Sequence, residues 1–125
     1  MGTGTKAVLQ TTTVDGETIE FWRKVSVYAT SYHPSTFGDN PRTRSGLPLA
    51  KGTIAVSAAW YPSMALQRVY VQGYGYGTIG DSGGGIPGTP WIDLGYSDED
   101  YIGWHSWTTL YFLPPIPAWY PVILP

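Results

Sequence analysis

The sequence predicts a single all-β domain, and three features lead to that prediction. Sixteen glycines and eleven prolines are spread over 125 residues and interrupt most windows long enough for a helix. Short runs rich in Val, Ile, Tyr and Thr recur between them, as is typical of strands. Only 13% of the residues are charged whereas 15% are aromatic, a composition that disfavours disorder and supplies one hydrophobic core.

Strand signals follow one another along the chain. A β-prone segment at residues 6–13 is joined to a longer one at 18–32 by Val14-Asp15-Gly16-Glu17. Asp-Gly adopts positive φ easily, so this segment is expected to form a hairpin turn. We expect the strand that contains Val69 and Val71 to lie in the interior of the sheet. The five later strands are predicted at residues 52–58, 68–72, 78–81, 91–94 and 108–113.

Three segments are predicted to be something other than strand. Residues 97–107 favour a helix, with Ser97 as the N-cap and acidic residues 98–100 in the first turn. Residues 33–49 form a long polar loop of the kind that is often functional. Residues 114–125 are rich in Pro and aromatics and favour an extended strap. The chain thus divides into an N-terminal hairpin or linker at 1–24, a main domain at 25–113 and a tail at 114–125.

Composition also limits the classes of partner. The net charge is −2 and no basic run is present, so we expect no nucleic-acid partner and no capture by an acidic membrane surface. No apolar run approaches the ~18 residues of a membrane span. The chain has no Cys and two widely separated His, so we expect no disulfide, no metal and no cofactor. A neutral ligand such as a sugar fits these limits.

Four segments between residues 27 and 113 resemble the three-aspartate domain of bacterial cell-wall proteins. That domain also occurs in membrane-bound lytic murein transglycosylase A and in stationary-phase survival and resuscitation-type wall enzymes. The most specific segment is Asp81-Ser82-Gly83-Gly84-Gly85-Ile86-Pro87-Gly88 followed by Trp91-Ile92-Asp93-Leu94. The other three are Ala29-Thr30-Ser31-Tyr32, Thr43-Arg44-Ser45-Gly46-Leu47 with Gly52-Thr53-Ile54-Ala55-Val56, and Val69-Tyr70-Val71-Gln72-Gly73-Tyr74-Gly75.

The resemblance implies a fold, an activity and a location. The fold would be a six-stranded double-psi β-barrel, here with an N-terminal hairpin from a preceding extracellular module and a Pro-rich C-terminal strap. The activity would be that of a lytic transglycosylase, which cleaves the β-1,4 bond between N-acetylmuramic acid and N-acetylglucosamine and forms a 1,6-anhydro ring. The location would be extracellular or in the cell envelope.

Candidate site residues follow from the residue pattern around Asp93 and from the resemblance. Asp93 stands among Trp91, Ile92 and Leu94, and apolar neighbours raise the pKa of a carboxyl group so that it can act as an acid near neutral pH. The resemblance implies that Asp93 is the catalytic acid/base and that Asp81 lines the same groove and tunes it. The candidate substrate-binding residues are Thr30, Tyr32, Tyr74, Gly83, Gly84, Trp91 and Asp98, and Tyr76 and Trp104 are further candidates for stacking on sugar rings.

The sequence departs from the family at Ser57, where the family usually has an Asp after the Ile-Ala-Val strand. Two alternatives to the transglycosylase therefore stay open. One is a non-catalytic envelope module that binds glycan or assembles with its own copies, through exposed strand edges or the aromatic tail. The other is a hydrolase of a different β-glucan on the same barrel.

Overall fold

A computed structural model describes residues 9–33, 43–46, 49–84 and 89–116 of the chain. The described chain contains eight strands and one short helix, which confirms the all-β prediction. The strands are β1 Gln10–Val14, β2 Glu17–Phe21, β3 Arg23–Tyr32, β4 Thr53–Ser57, β5 Arg68–Val71, β6 Gly75–Gly83, β7 Trp91–Gly95 and β8 Ser106–Phe112, and the helix is α1 Tyr61–Met64.

Six strands form a closed ring in the order β3-β7-β4-β6-β5-β8, and β8 pairs back onto β3. The β3/β7 and β4/β6 pairs are parallel, and the other four pairs are antiparallel. The strand with Val69 and Val71 pairs on both sides, and both valines are fully buried. The prediction that this strand is interior is therefore confirmed.

Alternation along the strands separates an inner from an outer surface of the ring. Val27 and Ala29 of β3, and Ile92 and Leu94 of β7, have no exposed surface and belong to the main core. Successive side chains on a strand point to opposite faces. The residues next to them, such as Thr30 and Asp93, therefore lie on the outer surface, where both are half-buried.

The N-terminal hairpin packs on the outside of the ring. Asp15 and Gly16 both adopt positive φ in the turn between β1 and β2, as the Asp-Gly pair predicts. The Asp15 carboxylate then accepts hydrogen bonds from the hydroxyl of Tyr70 at 3.1 Å and from the backbone N–H of Gly73 at 2.6 Å. The hairpin contributes Val14, Ile19 and Phe21 to a second buried cluster with Tyr70, Tyr111 and Leu113.

The strand predicted at residues 18–32 is two strands, because the chain bends at Trp22. The backbone N–H of Trp22 donates to the carbonyl of Phe112 at 2.9 Å, and its indole N–H donates to the carbonyl of Leu113 at 3.2 Å. These bonds to the end of β8 hold the bend in place. The predicted strand at 78–81 is also longer than expected, since β6 already begins at Gly75.

The helix predicted at residues 97–107 is wrong. A helix with Ser97 as N-cap needs the Ser97 side chain to accept a backbone N–H. Instead, the Ser97 hydroxyl donates to the Asp100 carboxylate at 2.9 Å, and residues 98–100 form only a turn. The backbone N–H of Trp104 donates to the Ser31 hydroxyl, and β8 begins at Ser106. The short helix α1 begins instead at Tyr61, with Pro62 in its first turn.

Parts of three other predicted segments lie outside the described residues. They are residues 6–8 of the first β-prone segment, residues 34–42 and 47–48 of the polar loop, and residues 117–125 of the tail. Within the part of the chain that the structure describes, no helix has the length and apolar character needed to cross a membrane.

Candidate functional site

The ring places both candidate catalytic aspartates beside one residue, Ala55 of β4. Ala55 is paired with Asp93 of β7 on one side and with Asp81 of β6 on the other. Asp93 is paired in turn with Thr30 of β3. These four residues, which we call the acid row, run across four neighbouring strands, and paired side chains share a face. The two carboxyl groups, twelve residues apart in sequence, therefore lie on the same outer face of the ring, on either side of Ala55.

Asp93 has the protonation behaviour that a general acid needs. The pKa of its carboxyl group is raised from 3.8 to about 6 as the net result of three influences: burial raises it, the hydrogen bond from Thr30 lowers it, and the nearby charge of Asp81 raises it. Burial is the largest of these influences because it removes water from the charged form. The Asp93 carboxyl group is therefore protonated in a fraction of the molecules close to neutral pH.

A chain of hydrogen bonds fixes the Asp93 carboxyl group. The indole N–H of Trp91 donates to the Thr30 hydroxyl at 3.0 Å, and that hydroxyl donates to Oδ1 of Asp93 at 2.8 Å. Trp91 is 7% exposed, so its ring is part of the packing around the acid row. Thr30 and Trp91 thus position Asp93, although the sequence suggested contact with substrate for both.

Asp81 is held by three donors on three parts of the chain. Its Oδ1 accepts the backbone N–H groups of Arg44 and Ser82, both at 2.9 Å. Its Oδ2 accepts the hydroxyl of Tyr32 at 3.0 Å. Burial, together with the charge and hydrogen bond of Asp81, raises the pKa of the Tyr32 phenol far above its ordinary value. Tyr32 therefore stays a neutral donor to Asp81 and is 4% exposed, so its hydroxyl holds the carboxylate in place.

Arg44 is a site residue that the sequence analysis missed. Besides its backbone bond to Asp81, its guanidinium donates to the Ser82 hydroxyl at 3.2 Å and lies 4.5 Å from the ring centre of Tyr61. The backbone N–H of Ser45 also donates to the carbonyl of Gly80. Hydrogen bonds therefore hold the segment at 43–46 against β6. The sequence signal for Arg44 was that this segment is one of the four that resemble the three-aspartate domain.

The two candidate glycines have different surroundings. A Cβ atom on Gly83 would lie 2.9 Å from Cη2 of Trp91, whereas a Cβ on Gly84 would meet nothing within 4 Å. Gly83 thus makes room for the Trp91 indole. Gly84 is exposed and leaves open space at the end of β6. Residues 85–88 of this run lie outside the described residues.

Tyr74 does not suit the stacking role predicted for it. It is 5% exposed, and its hydroxyl bridges the backbone N–H of Gly52 and the carbonyl of Gly95. Burial raises the pKa of its phenol above the ordinary value. The Tyr74 hydroxyl therefore links the residue before β4 to the last residue of β7 by hydrogen bonds. Trp104 is similarly occupied, since its indole N–H donates to the Tyr96 hydroxyl at 2.8 Å.

Asp98 lies beyond the end of β7, apart from the acid row. Its carboxylate contacts Nδ1 of His33 at 2.7 Å, and the His33 ring lies 4.2 Å from that of Tyr101. His33 follows β3 and Asp98 follows β7, so the parallel pairing of these strands brings both to one end of the ring. Tyr76, which the sequence suggested for stacking on sugar rings, is 46% exposed but packs edge-on against Tyr70 on the side of the hairpin, so it is not placed beside the acid row.

Two further observations bound the chemistry of this site. Among residues 9–33, 43–46, 49–84 and 89–116, no three His or acidic side chains are grouped so that they could hold a metal ion. An open cavity of about 220 Å³ is lined by residues including Ile19, Arg68 and Tyr76 and by no member of the acid row. The acid row therefore belongs to the outer surface of the ring and is separate from this cavity.

No protein-family model, curated protein or solved structure matches this chain.

Proposed function

We propose that this chain is a lytic transglycosylase-like domain that cleaves the β-1,4 bond between N-acetylmuramic acid and N-acetylglucosamine in peptidoglycan. The observation that carries the proposal is the half-buried Asp93 carboxyl group with its pKa raised to about 6. A group that is partly protonated near neutral pH can give a proton in one step and take one back in the next. Asp93 faces outward, where a polymer can reach it.

The reaction needs one such group. Protonated Asp93 donates its proton to the glycosidic oxygen, the bond from that oxygen to the muramoyl anomeric carbon breaks, and the N-acetylglucosamine chain leaves. The Asp93 carboxylate then takes the proton of the muramoyl 6-hydroxyl as this oxygen attacks the anomeric carbon. The new bond closes the 1,6-anhydro ring, Asp93 is protonated again, and no water is consumed.

The state of Asp81 favours this route over hydrolysis. A hydrolase usually needs a second carboxylate that is free to activate water or to attack the sugar. Asp81 already accepts hydrogen bonds from Arg44, Ser82 and Tyr32. It is suited to hold the loop at 43–46 and to keep the pKa of Asp93 high. These features fit a double-psi β-barrel enzyme with a single acid/base.

A non-catalytic glycan-binding or self-assembling envelope module is the second candidate. It is favoured by Ser57, which is paired with Gly83 at the end of β4 and supplies a hydroxyl where the resembling family usually has a carboxylate. Such a module would use the same outer surface to hold glycan without cutting it. An extracellular or envelope location is part of both proposals.

The test is digestion of purified peptidoglycan in water enriched in heavy oxygen, followed by mass spectrometry of the released muropeptides. The transglycosylase yields 1,6-anhydro ends without label. A hydrolase yields reducing ends that carry one heavy oxygen. A binding module releases neither product, and either of these last two results contradicts the proposal.

A further inference from the structure

Trp107 is a large aromatic side chain that the proposed chemistry does not use. It lies near the start of β8 and is 57% exposed, although Trp is usually well buried. Its ring packs edge-on against Tyr28 of β3, with 5.8 Å between ring centres and an angle of 70° between planes. That contact fixes the orientation of the indole while leaving much of its surface open to solvent.

The strand register connects this pair to the acid row. Tyr28 is paired with Trp107 on one side and with Trp91 on the other. Trp91, Tyr28 and Trp107 therefore form a row across β7, β3 and β8. The acid row lies two residues farther along β3 and β7, because Thr30 is paired with Asp93. Positions two residues apart share a face of the sheet, so both rows lie on the same outer surface.

From this placement we infer that Trp107 and Tyr28 form a sugar-binding platform for the glycan strand whose scissile bond lies at Asp93. The inference rests on the proposed function, since it adds a second sugar-binding position on the same outer surface as the acid row. A pyranose ring presents C–H groups on its faces and hydroxyls at its edge. An exposed indole with a hydroxyl side chain beside it suits such a ligand, and Thr109 lies two residues after Trp107 on the same face of β8.

The lining of this surface favours a neutral ligand over a charged one. The pairs Tyr28 with Trp107 and Ser26 with Thr109 of β3 and β8 lie on the same face, on either side of one inward-facing pair, and none of these four residues carries a charge. A nucleic acid or an acidic peptide would need cationic partners there. A β-1,4-linked strand of N-acetylated sugars needs stacking surfaces and hydrogen-bonding groups, which these residues supply.

The test is the affinity for the hexamer of β-1,4-linked N-acetylglucosamine, measured by titration calorimetry. All variants carry Asp93→Asn so that no cleavage interferes. Trp107→Ala is expected to weaken binding about fivefold or more, as loss of one aromatic contact predicts. Trp107→Tyr keeps an aromatic face and is expected to stay within about twofold of the parent affinity.

Tyr76→Ala is the matched control. Tyr76 is also exposed, at 46%, and also packs edge-on against a tyrosine, but it lies on β6 beside the hairpin. It is expected to leave hexamer affinity unchanged. The platform proposal would be overturned if Trp107→Ala bound the hexamer as tightly as the parent. It would also be overturned if Tyr76→Ala lost as much hexamer affinity as Trp107→Ala.

Two further outcomes separate this inference from the proposed function. If the Asp93→Asn protein binds neither the hexamer nor sedimented peptidoglycan, the platform is wrong, whereas the proposed chemistry is judged by anhydro products from the parent protein. If Trp107→Ala changes the oligomeric state in light scattering and leaves glycan affinity intact, Trp107 is a contact between copies of the chain and the platform is wrong.

Discussion

The Thr30 hydroxyl donates to Oδ1 of Asp93 at 2.8 Å and accepts the indole N–H of Trp91 at 3.0 Å. A hydroxyl has one proton to donate, and here that proton is directed at Asp93. When Asp93 is protonated as an acid, its own proton therefore belongs on Oδ2, the oxygen that Thr30 does not contact. The three residues thus fix which oxygen of the carboxyl group carries the proton, and in the proposed function that oxygen serves the glycan.

Thr30→Val is expected to raise the pKa of Asp93 above about 6. The Thr30 hydrogen bond favours the carboxylate and lowers this pKa, so its removal favours the protonated acid. The variant also leaves the Trp91 N–H without its acceptor, at a cost of about 1–3 kcal/mol in unfolding free energy. Carbon-detected NMR titration of the Asp93 carboxyl group measures the shift, and Thr30→Ser is the control that keeps the hydroxyl. A lower pKa in Thr30→Val would contradict this account.

Asp81→Asn is expected to move the pKa of Asp93 in the opposite direction. The charge of Asp81 raises the pKa of Asp93, and Asn removes that charge while its amide oxygen can still accept the two backbone N–H groups. The same NMR titration should show the Asp93 pKa falling from about 6 towards 3.8. Cleavage near neutral pH should then decrease less than in Asp93→Asn. An unchanged Asp93 pKa would mean that the two carboxyl groups do not sense each other.

Asp93→Asn is expected to stabilise the fold above pH 6. The folded pKa of Asp93 is raised above its unfolded value, so the folded state binds more protons between about pH 4 and 6, and stability falls as the pH rises through that window. The pKa difference corresponds to at most about 3 kcal/mol. The Asn variant carries no buried charge and avoids this loss.

Thermal unfolding at pH 4 and pH 8 checks the sign. The Tm of Asp93→Asn should exceed that of the parent at pH 8, and the two should converge at pH 4. Glu99→Gln, which removes an exposed carboxylate, should show no such dependence. A Tm gain of the Asn variant that is larger at pH 4 than at pH 8 would show that Asp93 is not desolvated in the folded protein.

Gly83→Ala is expected to disturb the acid row, whereas Gly84→Ala is not. The added methyl group at 83 would lie 2.9 Å from the Trp91 ring, so the ring must move and its hydrogen bond to Thr30 lengthens. We expect a loss of about 1–3 kcal/mol in unfolding free energy and slower cleavage. Gly84→Ala has open space around it. Denaturant unfolding measures the unfolding free energy of both variants. Equal values would show that Gly83 is not needed to make room for the Trp91 ring.

The sequence predicted those features that depend on local residue patterns. The Asp-Gly turn at 15–16, the interior strand with Val69 and Val71, and the apolar surroundings of Asp93 follow from neighbours in the chain. The pairing of Asp93 and Asp81 with opposite sides of Ala55 depends on the order of strands in the closed ring. Only the resemblance, and no local pattern, had suggested that the two carboxyl groups share a site.

Two expectations are not met because of hydrogen bonds that residue patterns do not reveal, one set long-range and the other local. Tyr74 was expected to face a ligand, but its hydroxyl is used between Gly52 and Gly95 in the interior. The helix after Ser97 was expected from its acidic first turn, but Asp100 accepts from Ser97 and closes a turn there. Trp107, in contrast, had no role assigned, because its exposure and its register with Tyr28 are visible only in the folded ring.

The most direct test of the central claim compares the parent protein with Asp93→Asn on purified peptidoglycan, with 1,6-anhydro muropeptides quantified by mass spectrometry. The substitution keeps the shape of the side chain and the acceptor for Thr30 but removes the titrating proton. The account predicts anhydro products from the parent and a rate lower by about 10² to 10⁴ in the variant, with an intact fold by circular dichroism. Release of anhydro products by Asp93→Asn at the parental rate, or no release by the parent, would contradict it.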